Sequence, residues 1–225
     1  MDTYHSKRSS KDRQSIQQQF IKNQLDILLA TSAFGMGINK KDICTIIHYH
    51  VPSNLEDYVQ QIGRAGRNGE DSDVVLLYDE RDMAVMKRRL IEETNPSLLV
   101  DLYQKDVSLE YFPENQQTLL RIAKEHHYTK EEAQYFFEKV FYDKLKRLKL
   151  MQEYCQLNSC YREFIEQYFS NQTLEEINDC HQCANCLQHS IINRPSKTLI
   201  SLTPDNFTGN QLNWHEKFSR LFKKT

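Results

Sequence analysis

Five of the six glycines in this chain of 225 residues stand at positions 35, 37, 63, 66 and 69. Glycine takes positive φ at no steric cost and lets backbone approach a ligand closely. Two windows, 31–40 and 60–69, are therefore set apart as special turns, while the rest of the chain must fold from ordinary elements. The second window reads Gln60-Gln61-Ile62-Gly63-Arg64-Ala65-Gly66-Arg67-Asn68-Gly69, with two arginines three residues apart directly after a helical pattern. A guanidinium meets phosphate oxygens bidentately and stays charged at any relevant pH, so this placement suits stabilisation of a transferring phosphate. The first window, Ala30-Thr31-Ser32-Ala33-Phe34-Gly35-Met36-Gly37-Ile38-Asn39-Lys40, offers backbone amides at the end of an apolar strand. One such window alone would be a solvated turn more often than a site; two at compatible spacing carry more weight.

Periodicity fills in the elements around these turns. Residues 12–22 place Ile16, Phe20 and Ile21 on one helical face, and the apolar run 27–30 reads as a buried strand. A second strand is expected over 45–49. Ser53 then caps a helix with Glu56 three residues on, a capping-box spacing, and that helix runs through Tyr58 and Ile62 into the glycines. A third strand over 74–78 is followed by a helix over 80–93, which Asn95-Pro96 ends. Alternating strands and helices imply a parallel sheet with crossover helices. Ligands in such sheets sit beyond the carboxyl ends of the strands, where the 31–40 window lies.

After Pro96 the composition shifts to helix. Leu119, Leu120, Ile122 and Ala123 precede a turn at 126–128, and Thr129 caps a second stretch with Glu132 three residues later. Phe136, Phe137, Val140, Phe141, Leu145, Leu148 and Leu150 continue the apolar stripe, with Lys144, Lys146, Arg147 and Lys149 on the outer side. A helix, a turn, a longer helix and a short apolar end fit a helix-turn-helix or winged unit that binds DNA; a helical spacer with a solvated charged face is the alternative. Beyond it, Cys180-His181-Gln182-Cys183-Ala184-Asn185-Cys186 sets three thiols at every third position, with Cys160 upstream. Four convergent sulfurs select zinc or an iron site, and a closed four-cysteine site is structural because no position stays open for water. Cys155 and His181 are the alternative ligands, while Cys44 and Cys155 read as buried or incidental thiols.

The wording ATSAFGMGINK followed by QQIGRAGRNG resembles motifs V and VI of the RecQ family of superfamily 2 DNA helicases, nearly residue for residue. The family also carries a zinc module in which a cysteine opens a helix and a C-x-x-C-x-x-C loop completes the site. Cys160-Tyr161-Arg162 continuing to Tyr168-Phe169 resembles that helix, so the resemblance implies Cys160, Cys180, Cys183 and Cys186 as ligands of one structural Zn2+. Nineteen residues separate Cys160 from Cys180, more than the resemblance leads one to expect. The fold class implied is α/β, a partial RecA-like parallel-sheet lobe followed by a mainly helical zinc-binding region. By resemblance, Arg64 and Arg67 are catalytic fingers, with Gln60, Gly63, Gly35, Gly37 and Asn39 toward the nucleotide. Thr31 and Ser32 would touch the DNA backbone. The family implies 3′-to-5′ unwinding driven by ATP hydrolysis in DNA recombination and repair.

No G-x-x-x-x-G-K-[ST] run and no D-E-x-H box occurs in the chain. ATP and Mg2+ would then bind only with an N-terminal lobe that the chain is expected to lack, and the chain alone is expected to be inactive. A separate chain carrying that lobe is the expected protein partner; a non-enzymatic zinc and DNA-binding module, or an inactive remnant, is the alternative function. The expected division is a partial helicase lobe over 1–95, a helical, winged-helix-like region over 96–152, a zinc module over 153–190, and a linker with a C-terminal helix over 191–225. Trp214, Phe218, Leu221 and Phe222 mark that last helix, and the polar stretch 188–204 the linker. No apolar stretch is long enough for a membrane span, and the polar opening residues are no signal peptide. A cytoplasmic protein, bacterial and nucleoid-associated, is expected, in which six cysteines serve metal ligation rather than disulfides. A net charge of −2 gives no global attraction to nucleic acid, so any DNA contact must come from local patches.

Overall fold

A computed structural model describes residues 1–31, 34, 40–105, 108–170 and 180–190, with backbone alone for 188–190. Strand β1 (Asp2–Tyr4) leads into helix α1 (Ser10–Ile21) and strand β2 (Leu28–Ala30), which pairs in parallel with β1 in the register Thr3 to Leu29. Ser9 caps α1, its hydroxyl accepting from the Asp12 N–H at 3.1 Å. Ile16 and Phe20 are buried under this pair, but Ile21, expected on the same face, is exposed at the helix end. Strand β3 (Thr45–His48) pairs in parallel with strand β4 (Asp73–Leu76), and helix α2 (Leu55–Ile62) makes the crossover between them. Among the described residues the two pairs form separate two-stranded sheets.

Helix α3 (Glu80–Thr94) begins with a capping box between Asp79 and Asp82. Asn95-Pro96 does end it, but the same residues start helix α4 (Pro96–Gln104): proline fits the first helical position, where its missing N–H costs nothing, and Asn95 Oδ1 accepts from the Leu98 N–H. Helix α5 (Glu114–Glu125) and the 26-residue helix α6 (Lys130–Cys155) follow, α6 opening with the Thr129 and Glu132 capping box that the spacing predicts. Leu148 and Leu150, the apolar end that suggested a wing, are turns of α6, and the described residues of 96–152 hold no strand. Helix α7 (Tyr161–Ser170) and helix α8 (Ala184–Ser190) complete the described chain, so 188–190, expected in the linker, are helical. The C-terminal helix expected around Trp214 to Phe222 lies outside the described residues.

Two apolar clusters hold these elements. One joins Val51, Leu55 and Tyr58 to Met83 of α3 and to Leu148, Met151 and Tyr154 of α6, with Tyr161, Phe164, Ile165 and Tyr168 of α7 packed against it. The other joins Leu99, Val100 and Leu102 of α4 to Leu120 and Ala123 of α5 and to Ala133 and Phe137 of α6. Helix α6 is thus the shared wall, its N-terminal half in one core and its C-terminal half in the other.

Candidate functional site

The arginine turn grows out of the C-terminus of α2. The helix starts at Asn54 rather than Ser53: Asn54 Oδ1 accepts from the Asp57 N–H at 2.7 Å, while Ser53 bonds the Asp57 carboxylate. The capping box expected from Ser53 and Glu56 therefore does not form, and Glu56 is released for another contact. At the far end, the Gly63 N–H reaches Val59 O at 2.9 Å, and the N–H groups of Arg64 and Ala65 turn back onto Gln61 O and Ile62 O. Gly66 (φ +65°) and Gly69 (φ +82°) then bend the chain through left-handed backbone, as the glycine spacing predicts. A Cβ at Gly66 would stand 3.0 Å from Ser72 Oγ and 3.1 Å from Glu70 O, so an alanine there would be crowded as well as strained by the positive φ. Arg67 Nε donates to Gly63 O at 2.9 Å, folding that side chain over its own turn. Arg64 is half-buried; burial first, and the like charge of Arg67 second, lower its pKa, which still leaves a guanidinium charged at neutral pH. Gln60 is exposed on α2.

Sequence reasoning missed the group that steadies this helix from below. His48, buried on β3, contacts Gln61 Oε1 through Nε2 at 2.9 Å and lies against the Tyr58 ring at 5.2 Å. The alternation Ile46, His48 on β3 was the signal available, since inward positions recur every second residue. Burial pushes the His48 pKa below its ordinary value of 6.5, with the Gln61 bond opposing. Nε2–H then donates to Gln61, leaving Nδ1 as a buried acceptor with no partner among the described residues.

Thr31 sits at the carboxyl end of β2, its N–H bonded to Tyr4 O at 3.1 Å and its carbonyl accepting from Phe34. Ser32, Gly35, Gly37 and Asn39 lie outside the described residues. Where the window re-emerges, Lys40 is buried, its ammonium bonded to Asn23 Oδ1 and paired with Asp42 at 2.9 Å, 5.1 Å from the Phe20 ring centre. Three residues later, Ile43 O accepts from the Gly66 N–H at 3.0 Å. The segment leaving the first window is thereby tied at one end to α1 and at the other to the arginine turn.

The second constellation is the thiol cluster. The sulfurs of Cys160, Cys180, Cys183 and Cys186 all lie within 4.8 Å of one another, with Cys183 3.3 Å from Cys186 and 4.0 Å from Cys160. Zinc–sulfur bonds of about 2.3 Å in a tetrahedron require sulfur–sulfur edges of about 3.8 Å, so this donor set fits one zinc ion. Cys160 opens α7 and is buried, and the Glu163 N–H points at its sulfur. Asn185 braces the loop from outside the cluster: its Nδ2 donates to Leu157 O at 2.8 Å and to Ser159 O at 2.7 Å, clamping α8 to the turn before α7. Burial alone would raise the Cys183 thiol, but backbone N–H groups of Cys186 and Tyr161 and the adjacent thiols bring it down to about 6; burial holds Cys186 high. Cys155, the alternative ligand, faces the first apolar core at the end of α6, and burial raises its thiol to about 11. His181 and Cys44 are exposed and outside the cluster.

The two constellations share α2. Glu56 Oε1 accepts from the Tyr168 hydroxyl of α7 at 2.7 Å and pairs with Arg147 of α6 at 3.3 Å, and Tyr154 bonds the Tyr58 hydroxyl at 3.3 Å. The helix that ends in Arg64 and Arg67 is therefore gripped at its start by the helix that Cys160 opens.

Comparison with known proteins finds a family match over each of the two regions. Residues 1–69 match the model of the helicase conserved C-terminal domain, and residues 113–187 match that of the RecQ zinc-binding domain. The zinc-binding match thus begins at α5, well before the boundary expected at 153. A Bacillus subtilis ATP-dependent DNA helicase RecQ is 33% identical over 183 residues, 81% of this chain and 23% of that protein. An Acanthamoeba polyphaga mimivirus protein named as an ATP-dependent RNA helicase is 30% identical over 190 residues, 84% of this chain and 27% of that protein. A RecQ-like DNA helicase of Caenorhabditis elegans is 44% identical over 94 residues, 42% of this chain and 9% of that protein. The chain spans about a quarter of the length of the first two relatives. A helicase C-terminal match followed by a RecQ zinc-binding match, over a glycine-bent arginine turn and a four-thiol centre, makes this chain a C-terminal portion of a RecQ-family superfamily 2 helicase.

Proposed function

We propose that this chain supplies the arginine-finger half of a RecQ-like ATP-dependent 3′-to-5′ DNA helicase acting in recombination and repair. The observation that carries the proposal is the turn 63–69, which two left-handed glycines hold at the end of a braced helix with both arginines on it. In this reading the β- and γ-phosphates and Mg2+ are held by a P-loop on another lobe, carried by a separate chain. Arg64 and Arg67 swing to the γ-phosphate as charge develops there, and closing of the cleft draws one DNA strand along. Gln60, Gly63, Gly35, Gly37 and Asn39 line the nucleotide side of that cleft, and Thr31 and Ser32 hold the DNA backbone. Cys160, Cys180, Cys183 and Cys186 hold one zinc, whose chemistry is to fix α7 and α8; the residues then orient α2 through Tyr168, Arg147 and Tyr154. A place on the bacterial nucleoid follows from DNA as the track. Among the described residues, no helix is long and apolar enough to cross a membrane.

The test is reconstitution. The purified chain alone should show no DNA-stimulated ATPase, and a separately made lobe bearing a P-loop should restore turnover. In the restored enzyme, Arg67→Ala should lower the chemical rate by roughly 10³ or more while sparing DNA binding. Turnover by the chain alone, or an unchanged rate in Arg67→Ala, removes the finger assignment.

A further inference from the structure

Lys144, Lys146, Arg147 and Lys149, adjacent in sequence, do not share a face. Lys144 is half-buried and Arg147 is paired with Glu56, which leaves Lys146 and Lys149 outward. What the structure sets beside them is different in kind. Tyr135, Lys139, Tyr142, Lys146 and Lys149 follow one another along α6 in steps of four, three, four and three residues, and all five are exposed. Such steps keep side chains on one face of a helix, here the face opposite the buried Ala133, Phe137, Leu148 and Met151. Tyr135 is 69% and Tyr142 62% exposed. Two large rings thus stand in solvent on one helix face, one step of seven residues apart. Carboxylates flank this face at its ends, Glu131 and Glu132 before it and Glu153 after it, where Glu153 lies 3.7 Å from Lys149, and along its sides, Glu138 beside the two tyrosines and Asp143 beside Lys139 and Lys146. Between them the five positions carry three positive charges and no negative one. At its N-terminal end lies a shallow depression of about 440 Å³ bounded by Tyr128, Glu131, Glu132, Tyr135, Phe136 and Lys139, floored by Tyr128 against Phe136 at 5.6 Å.

We infer that this face of α6 is a track for single-stranded nucleic acid, an inference that rests on the reading of the chain as part of a DNA-translocating enzyme. Tyr135 and Tyr142 offer ring faces for bases to stack on, about 10 Å apart along the axis, and Lys139 and Lys146 alternate with them to meet the phosphates between. Stacking on an aromatic ring is tolerant of sequence, because every base has a π-face, and lysines neutralise phosphates one at a time. The stripe from Tyr135 to Lys149 runs about 21 Å, room for a few nucleotides. The depression beside Tyr135 receives the base at one end.

The experiment titrates the full, zinc-loaded chain against a fluorescently labelled oligothymidylate of about 15 nucleotides and against a duplex of equal length, over a range of salt. The double variant Tyr135→Ala/Tyr142→Ala should weaken single-strand binding by roughly tenfold or more and affect the duplex less; Tyr135→Phe/Tyr142→Phe should restore it. Lys139→Ala/Lys146→Ala should lower the slope of log affinity against log salt by about 1.4, whereas Lys87→Ala on α3 should leave it unchanged. All these side chains are exposed, so zinc content and circular dichroism should match the parent chain. An absence of single-strand binding, an unchanged affinity in the double tyrosine variant, or an equal loss for duplex and single strand would each overturn the inference. Failure of the ATPase reconstitution would leave these titrations unaffected, so the two readings fail separately.

Discussion

His48 shows what one side chain settles beneath the arginine turn. Its ring lies between the inner face of β3 and α2, held by Gln61 and by the Tyr58 ring, and burial disfavours its charged form. Because its pKa in the folded chain lies below the ordinary 6.5, the unfolded chain binds more protons in that range. The stability it contributes is complete above about pH 6.5 and is lost as pH falls through the folded value. Urea midpoints should therefore decline on acidification below pH 6.5, and His48→Asn, less stable at neutral pH, should decline less steeply. Parallel profiles for the two proteins would show that His48 does not set the slope. Residues of this kind are hard to find in the sequence because strand alternation can turn a lone histidine inward without marking what it does there. The left-handed turn at Gly66 and Gly69 and the convergence of the four cysteines were legible because each came with a spacing that only a few backbone geometries satisfy. Ser53 misled for a related reason: two adjacent capping residues compete, and Asn54, whose carbonyl oxygen reaches the Asp57 N–H, wins the position.

Among the elements, α2 links the two constellations. Its first turn meets the zinc-bearing helices through Glu56, and its last turn launches Arg64. Glu56 Oε1 carries both Tyr168 and Arg147, while Oε2 is buried without a partner among the described residues, so the loss of one donor is felt by a carboxylate with little to replace it. Tyr168→Phe should cost about 1 kcal/mol in denaturant unfolding while zinc content stays at the parent level, and Glu56→Gln/Tyr168→Phe together should cost less than the sum of the single changes. Additive losses would mean that the two side chains do not act on one another. This contact was not readable from sequence, since Glu56 and Tyr168 are 112 residues apart and the motifs each belongs to say nothing of the other. The strand and helix alternation was readable, and so was the capping box at Thr129. Helix α4 was not: a proline after an asparagine ends one helix and starts the next with equal ease. The supposed wing failed on length, for the apolar stripe simply continues to the end of α6.

At the scale of the whole molecule, the arrangement of cores decides what metal loss does. One cluster joins α2, α3 and the C-terminal half of α6 to α7, and the other joins α4 and α5 to the N-terminal half of α6. A plain division between an α/β lobe and a zinc module would let chelation unfold the second and spare the first. The shared core predicts otherwise, because α7 packs on the cluster that contains Leu55 and Tyr58 of α2. A structural zinc contributes folding free energy directly, so removing it should first release α7 and α8, which the cluster and Asn185 hold together. Helix α2 loses its Tyr168 contact next, and α4 and α5, closed around Leu99, Leu120 and Phe137, should stay. Hydrogen exchange with and without a chelator reads this order. Amides of α7 and α8 should lose protection most, those of α2 in part, and those of α4, α5, β1 and β2 little. Cys183→Ser should reproduce the chelated pattern with metal absent by elemental analysis, whereas Cys155→Ser, outside the cluster, should keep one zinc per chain and the native pattern. Retention of full protection over α2 after zinc is gone would show that the arginine turn is braced by its own lobe alone. Uniform loss across both cores would show that they unfold as one unit.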